Sequence, residues 1–145
     1  MIRLLDLNLL VAVAWPNHAA HHTALRWFDR IADHGWATCG VTESGFVRIS
    51  ANPTVFASAV TPSDAAALLA DLRQVGDHAF WPDEISLATS PLVPRERLIG
   101  HRQVTDAHLL AITRSHHGAL ATLDRRLETL GRGLDGAHVE VVTAE

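Results

Sequence analysis

Four acidic side chains stand where they could share one site. Three of them, Asp6, Glu43 and Asp124, follow predicted strands. The fourth, Asp106, lies in the first turn of a predicted helix. The carboxyl ends of parallel strands meet at one edge of a sheet, where ligands bind. We therefore expect the four carboxylates to lie close together although they are far apart in the sequence.

The chemistry expected of such a group is metal-dependent hydrolysis. Carboxylates gathered at short range raise one another's pKa values unless cations neutralise them. Oxygen ligands favour hard ions such as Mg²⁺ and Mn²⁺. Ions held in this way can deprotonate a water molecule and stabilise the charge that builds on a phosphodiester. The pattern thus predicts hydrolysis of phosphodiester bonds.

Each of these features also has an ordinary structural explanation. Asp6 could cap the following helix, because aspartate is a preferred N-cap residue, and Glu43 could be stabilised by a helix dipole. His18 and His22, four residues apart, could hold a metal, but without a third ligand a solvent-exposed face is the simpler explanation. The remaining polar features are expected to be structural: Ser44, which lacks a nucleophile-elbow motif, the acidic pair Asp83 and Glu84 in a solvated turn, and a partly exposed His108.

Predicted strands and helices alternate along the chain. The strands are Ile2–Leu5, Trp36–Cys39, Ala119–Thr122 and His138–Val142, with a strand or extended passage over His78–Leu87 that is broken at Pro82. The helices are Leu7–Ala14, His18–His34, Thr42–Ile49, one beginning at Pro62, Val104–Ile112 and Arg125–Leu130. Thr42, Thr61 and Thr105 are the expected N-caps of three of them. This alternation predicts an α/β fold with a mostly parallel sheet and helices on both faces.

The composition predicts one globular domain over residues 1–145, with 48% hydrophobic and 19% charged residues. All 12 basic residues are arginine, which excludes mechanisms that need lysine, such as a P-loop or a Schiff base. The formal charge of −4 argues against a nucleic-acid partner unless the four acids hold cations. The single cysteine, Cys39, excludes an internal disulfide and favours a cytoplasmic location. Asp6 interrupts the first apolar run, so we expect no cleaved signal peptide.

Each of the four acids lies within a short characteristic sequence segment. The segments that carry them are Leu5–Leu10, Thr42–Arg48, Val104–Ala111 and Ala121–Arg125. In this order they resemble the PIN-domain ribonucleases, specifically the VapC toxins of bacterial toxin–antitoxin systems. The resemblance covers essentially the whole chain, although Leu7 stands where many relatives carry Thr or Ser.

The resemblance implies a PIN-like three-layer α/β/α fold and a metal-dependent endoribonuclease that leaves a 3′-hydroxyl and a 5′-phosphate. It implies that the quartet binds Mg²⁺ or Mn²⁺, and that Asn8 and Thr122 orient the carboxylates or a water. The implied partners are an RNA substrate, a VapB-type antitoxin that inhibits the enzyme, and a second copy of the chain in a homodimer. Operator DNA would be contacted only by the antitoxin, and no membrane partner is implied. Without lysine, RNA backbone contacts fall to arginine; the candidates are Arg48, Arg95, Arg97, Arg102, Arg125 and Arg126.

Two other functions fit parts of the pattern. A receiver-like regulatory domain also gathers acids at a sheet edge, but it needs a lysine that the chain lacks. A PIN fold retained only to bind RNA or protein stays open. The two functions are distinguished by whether Mg²⁺ supports RNA cleavage or only binds to the protein.

Overall fold

The computed structural model describes residues 1–144, where strands and helices alternate. The strands are β1 (Arg3–Leu5), β2 (Trp36–Cys39), β3 (His78–Trp81), β4 (Ala119–Thr122) and β5 (Val139–Val141). The α-helices are α1 (Leu7–Ala14), α2 (His21–Ile31), α3 (Gly40–Ser50), α4 (Pro62–Leu72), α5 (Val104–Ser115) and α6 (Arg125–Gly131). Short 3₁₀ turns follow α2 and precede α5.

The sheet is parallel, with β1 at its centre. The strand order is β3-β2-β1-β4-β5. The chain first moves from β1 towards β2 and β3 and later returns to the other side of β1 at β4, so the topological switch point lies between β1 and β4. Leu5 of β1 pairs with Ala121 of β4. The residues that follow these two strands therefore emerge side by side.

Helices cover both faces of the sheet. Leu5 packs into a cluster that includes Phe28 of α2 and Phe46 of α3. Its neighbour Leu4 points the opposite way and packs with Leu110 of α5. Successive residues of a strand face opposite sides, so buried strands between two helical layers are apolar throughout. The predicted three-layer α/β/α class is confirmed.

Several predicted element boundaries were wrong. Helix α3 begins at Gly40 with Cys39 as its N-cap, and Thr42 lies inside the first turn, where its hydroxyl accepts from the Cys39 backbone N–H at 3.1 Å. Helix α5 begins at Val104 directly after a 3₁₀ turn, so Thr105 is not its cap.

Two other predicted elements are shorter in the structure, and two predictions are correct. Helix α2 begins at His21, because the His18 ring instead accepts the backbone N–H of Ala20 in the preceding turn. Strand β3 ends before Pro82, as predicted, because proline has no N–H for the ladder. The last strand spans Val139–Val141 rather than His138–Val142. The predicted cap Thr61 is confirmed.

A close contact between α1 and α3 fixes the helices beside the central strand. A Cβ atom on Gly45 would lie 2.6 Å from Leu7 Cδ2, so a larger residue here would force the Leu7 side chain to move. The contact places the middle of α3 beside the start of α1, which Asp6 caps. Within residues 1–144, no helix is long and apolar enough to cross a membrane.

Candidate active site

An open cleft lies at the carboxyl edge of the sheet, over the switch point. Its volume is about 610 Å³. Three of the four predicted acids line it, Asp6 after β1, Asp106 in the first turn of α5 and Asp124 after β4. Arg48 and Arg126 line it as well. We refer to this space as the acidic cleft.

Asp6 is both a helix cap and a wall of the acidic cleft. Its carboxylate accepts the backbone N–H of Leu9 at 2.9 Å and the hydroxyl of Thr122. The side chain is buried, and that burial raises its pKa from 3.8 to about 6; the two hydrogen bonds oppose the rise, and the charges of Asp106 and Asp124 add to it. The predicted role of Asp6 as a helix cap is therefore confirmed, and its role as a metal ligand stays a prediction.

Asp106 and Asp124 differ in their surroundings. Half-burial, followed by the nearby charge of Asp124, raises the pKa of Asp106. Asp124 caps α6, and its carboxylate accepts from Arg126 Nε at 3.0 Å and Nη2 at 2.8 Å. These hydrogen bonds with Arg126 lower the pKa of Asp124. The cleft thus contains two carboxylates that are costly to ionise and one that an arginine neutralises.

Glu43 lies on the other side of α3. Its carboxylate accepts from the Thr38 hydroxyl at 2.6 Å and from Arg73 Nη1 at 3.2 Å. It lines a separate groove between α3 and α4, and the neighbouring Ser44 lines both that groove and the acidic cleft. The structure brings three of the four predicted acids together and leaves Glu43 outside, so its role as a ligand stays a prediction.

The two predicted auxiliary residues differ in position, since Thr122 is fully buried and Asn8 lines the cleft. Thr122 donates to Asp6 and accepts the backbone N–H of Asp124 at 3.0 Å. Asn8 lines the cleft, and its Oδ1 lies 2.9 Å from His18 Nε2. Because His18 Nδ1 accepts from the Ala20 backbone, Nε2 carries the proton and donates to Asn8. Sequence analysis missed this role of His18, which loop geometry alone creates.

Among the candidate arginines, the structure separates two groups. Arg95 donates to the carbonyls of Leu87 and Ser90, and Arg97 donates to the carbonyls of Leu130 and Arg132. These two hold loops in place. The others are exposed, and of these Arg48 and Arg126 line the acidic cleft, Arg102 lines a cavity beside it, and Arg125 lies on the first turn of α6.

One further histidine lies near the cleft. His108 Nε2 is 2.8 Å from Asp83 Oδ2, which ties α5 to the segment after β3. Asp83 and Glu84 are exposed, as predicted for a solvated turn, and the Asp83 carboxylate also contacts His108.

The carboxylates of the acidic cleft suit a hard divalent cation by their chemistry. Their oxygens are the ligands that Mg²⁺ and Mn²⁺ prefer. The raised pKa values of Asp6 and Asp106 mark negative charge that a cation would neutralise. Within residues 1–144, no group of three or more His, Cys, Asp or Glu side chains is arranged to hold a metal ion. Asp124 would have to release Arg126 to complete one.

The sequence is similar to those of curated ribonucleases. The chain is 45% identical to ribonuclease VapC38 of Mycobacterium tuberculosis over 142 residues, 97% of each protein. It is 43% identical to ribonuclease VapC39 of the same species over 127 residues, covering 88% of this chain and 91% of that protein. No family model matches the chain.

Solved structures share the fold at low sequence identity. A VapBC2 complex from Rickettsia felis, bound to a promoter DNA fragment, aligns with a TM-score of 0.66 and 11% identity over 99% of this chain and 100% of that one. A FitAB complex bound to a DNA fragment aligns with a TM-score of 0.61 and 14% identity, over 100% and 98% of the two chains.

The fold and the cleft define a class of α/β protein in which carboxylates gather at the switch point of a parallel sheet. The identity to the two curated relatives, over nearly their whole length, makes the assignment specific. The chain belongs to the VapC family of PIN-domain ribonucleases, the toxins of bacterial VapBC toxin–antitoxin systems.

Proposed function

We propose that this chain is a Mg²⁺- or Mn²⁺-dependent endoribonuclease, formed as one PIN domain over residues 1–145. One observation carries the proposal: Asp6, Asp106 and Asp124 line the same cleft together with two arginines. A bound divalent cation supplies positive charge at the phosphate and a water of lowered pKa. The three carboxylates would hold such a cation, and Glu43 would join them only if it left Thr38 and Arg73.

The other residues of the cleft bind and orient the substrate. Arg48 is exposed on the α3 wall, where its guanidinium can pair with a phosphate through two N–H groups. Thr122 and the Leu9 N–H fix the Asp6 carboxylate in one orientation. His18 occupies the oxygen of the Asn8 amide, which leaves the amide N–H groups of Asn8 to donate to a phosphate oxygen or a water.

The proposed partners are RNA, a VapB-type antitoxin and a second copy of the chain. Structures of VapBC2 and FitAB complexes on DNA support the antitoxin partner, because these toxin–antitoxin pairs contain the same fold. The contact with operator DNA belongs to the antitoxin in this proposal.

The alternative is a catalytically silent PIN module that binds RNA or protein. The position of Glu43, paired with Arg73 away from the cleft, favours this alternative. A silent module would bind RNA without cutting it.

Cleavage of total cellular RNA separates the two functions. Purified protein is incubated with Mg²⁺, with Mn²⁺ or with EDTA, beside an Asp6→Asn variant whose folding is checked by circular dichroism. We expect cleavage with either metal, products with 5′-phosphate ends, and none with EDTA or with the variant. RNA that stays intact with both metals, while the protein still binds it, would establish the silent module instead.

A further inference from the structure

A second cavity opens beside the acidic cleft, between the loop that precedes α5 and the end of α6. Its volume is about 280 Å³. Asp106 and Arg126 line both spaces, so the cavity continues the cleft in one direction. Its other walls include His101, Arg102, Gln103 and Leu130. We call this space the side cavity.

The loop that forms the side cavity is fixed to the body of the protein. Arg97 Nη1 donates to the Leu130 carbonyl at 3.0 Å and to the Arg132 carbonyl at 2.6 Å. These bonds connect the 3₁₀ turn at residues 95–97 to the end of α6. Leu130 itself is buried and gives the cavity an apolar wall. The side cavity is therefore a built feature, with walls from two elements joined by hydrogen bonds.

Gln103 presents donors to the side cavity. Its Oε1 accepts the backbone N–H of Ile99 at 2.6 Å, which fixes which end of the amide is oxygen. The amide NH₂ group remains available to donate. Ile99 is 94% exposed at the start of this loop. A pair of N–H donors beside an apolar surface matches the acceptor edge and the face of an unpaired base.

The charge of the side cavity suits a phosphate chain. Arg102 is exposed and lines it, and Arg126 stands at its boundary with the acidic cleft. A phosphodiester backbone that leaves the cleft at Asp106 would meet these guanidinium groups next. Arginine pairs with phosphate through two parallel N–H groups.

We propose that the side cavity binds the nucleotide adjacent to the scissile phosphate, with Arg102 on a phosphate and the Gln103 amide on the base. This inference rests on the proposed ribonuclease function and makes Gln103 a specificity-determining residue. Only a single-stranded or looped-out base can enter, because a base within a duplex keeps this edge paired or stacked.

A near-isosteric substitution tests base selection. Gln103→Glu keeps the oxygen that accepts from Ile99 and replaces the NH₂ donor with a second oxygen. Gln74→Glu, on an exposed residue, is the matched control for the added charge. RNA of randomised sequence is cleaved with Mn²⁺ and the product ends are sequenced. We expect the preference at one position beside the cut to change by about tenfold in the first variant only. A cut-site preference identical to that of the unaltered protein would overturn the role of Gln103.

A binding measurement without cleavage tests the cavity independently of the proposed function. Arg102→Gln is compared with Arg132→Gln, on an exposed arginine that lines neither the side cavity nor the acidic cleft, by fluorescence anisotropy of a labelled single-stranded oligoribonucleotide in EDTA. We expect Arg102→Gln alone to weaken binding about fivefold and to reduce the salt slope by about one. If no RNA is cleaved but this difference persists, the nuclease proposal fails and the RNA site stands. If the two variants bind equally, the side cavity is not an RNA site and a protein segment is its better occupant.

Discussion

The hydroxyl of Thr122 donates to the carboxylate of Asp6, which joins the ends of two neighbouring parallel strands. The same oxygen accepts the backbone N–H of Asp124 at 3.0 Å. The pairing of Leu5 with Ala121 sets this arrangement, because it brings the residues that follow β1 and β4 side by side. The register of the sheet therefore fixes two of the acids relative to each other.

Removing the Thr122 hydroxyl should shift the pH dependence of cleavage. The hydrogen bond lowers the pKa of Asp6, so Thr122→Val raises that pKa above about 6. A cation needs the ionised carboxylate, so activity falls as pH drops through this pKa. We expect the acid limb of the cleavage profile to move upwards by about one to two pH units, since a hydrogen bond to a charged group contributes about 1.5–3 kcal/mol.

The control for this profile is Thr122→Ser, which keeps the hydroxyl. It should retain the acid limb of the unaltered protein between pH 5 and 8. If Thr122→Val also retains that limb, the hydrogen bond does not govern the ionisation of Asp6.

Asp6→Asn should stabilise the protein at neutral pH. Burial raises the folded-state pKa of Asp6 above its ordinary value of 3.8, to about 6. Folding therefore favours the protonated acid, and this favourable contribution is full below pH 4 and is lost as pH rises to 6. Above pH 6 the ionised carboxylate lowers the free energy of unfolding by about 3 kcal/mol, because folding and protonation are linked.

Urea unfolding at two pH values measures this cost. At pH 7.5 we expect the free energy of unfolding of Asp6→Asn to exceed that of the unaltered protein by about 1–3 kcal/mol. At pH 4 the difference should largely vanish. Asp29→Asn, on an exposed residue of α2, controls for the loss of a charge. An Asp6→Asn variant that is less stable at pH 7.5 would contradict the electrostatic assignment.

Arg126→Gln should tighten the binding of Mn²⁺. Arg126 occupies both carboxylate oxygens of Asp124, so arginine and metal compete for the same ligand. The Arg126 side chain is 82% exposed, and solvent weakens such a pair, so the expected gain is about three- to fivefold in affinity. Calorimetric titration measures it, with Arg125→Gln as control. Unchanged affinity would mean that Asp124 contributes no metal ligand.

Glu43→Gln separates the predicted ligand role from the contacts in the structure. If Glu43 acts mainly through Thr38 and Arg73, Mn²⁺ affinity should change less than about threefold, and the free energy of unfolding should fall by about 1 kcal/mol. Asp106→Asn, within the cleft, should weaken Mn²⁺ binding more than about tenfold. An equal loss of Mn²⁺ affinity in the two variants would show that Glu43 is a metal ligand.

The sequence predicted the features of the site that follow from the order of the strands. It did not predict the features that depend on the orientation of helices or on the conformation of loops. Asp6 and Asp124 follow strands that pair directly, so their meeting could be predicted from the alternation of elements. The position of Glu43 could not, because α3 begins at Gly40 rather than Thr42 and Arg73 arrives from a distant helix.

Loop geometry accounts for the other missed features. The His18 ring reaches Asn8 only because the turn before α2 ends at His21. Gln103 lines the side cavity because its amide is bonded to Ile99 within the same loop. Neither contact has a periodic pattern in the sequence from which it could be predicted.

The most direct test compares metal binding with RNA cleavage in the same preparation. Mn²⁺ is titrated against unaltered protein and Asp106→Asn, with occupancy followed by electron paramagnetic resonance and cleavage followed on a labelled single-stranded RNA. The proposed function predicts that the cleavage rate is proportional to Mn²⁺ occupancy. In Asp106→Asn, the occupancy and the cleavage rate should both require the same higher Mn²⁺ concentration. Cleavage that continues in EDTA, or a rate in Asp106→Asn equal to that of the unaltered protein at every Mn²⁺ concentration, would contradict a metal-dependent ribonuclease in the acidic cleft.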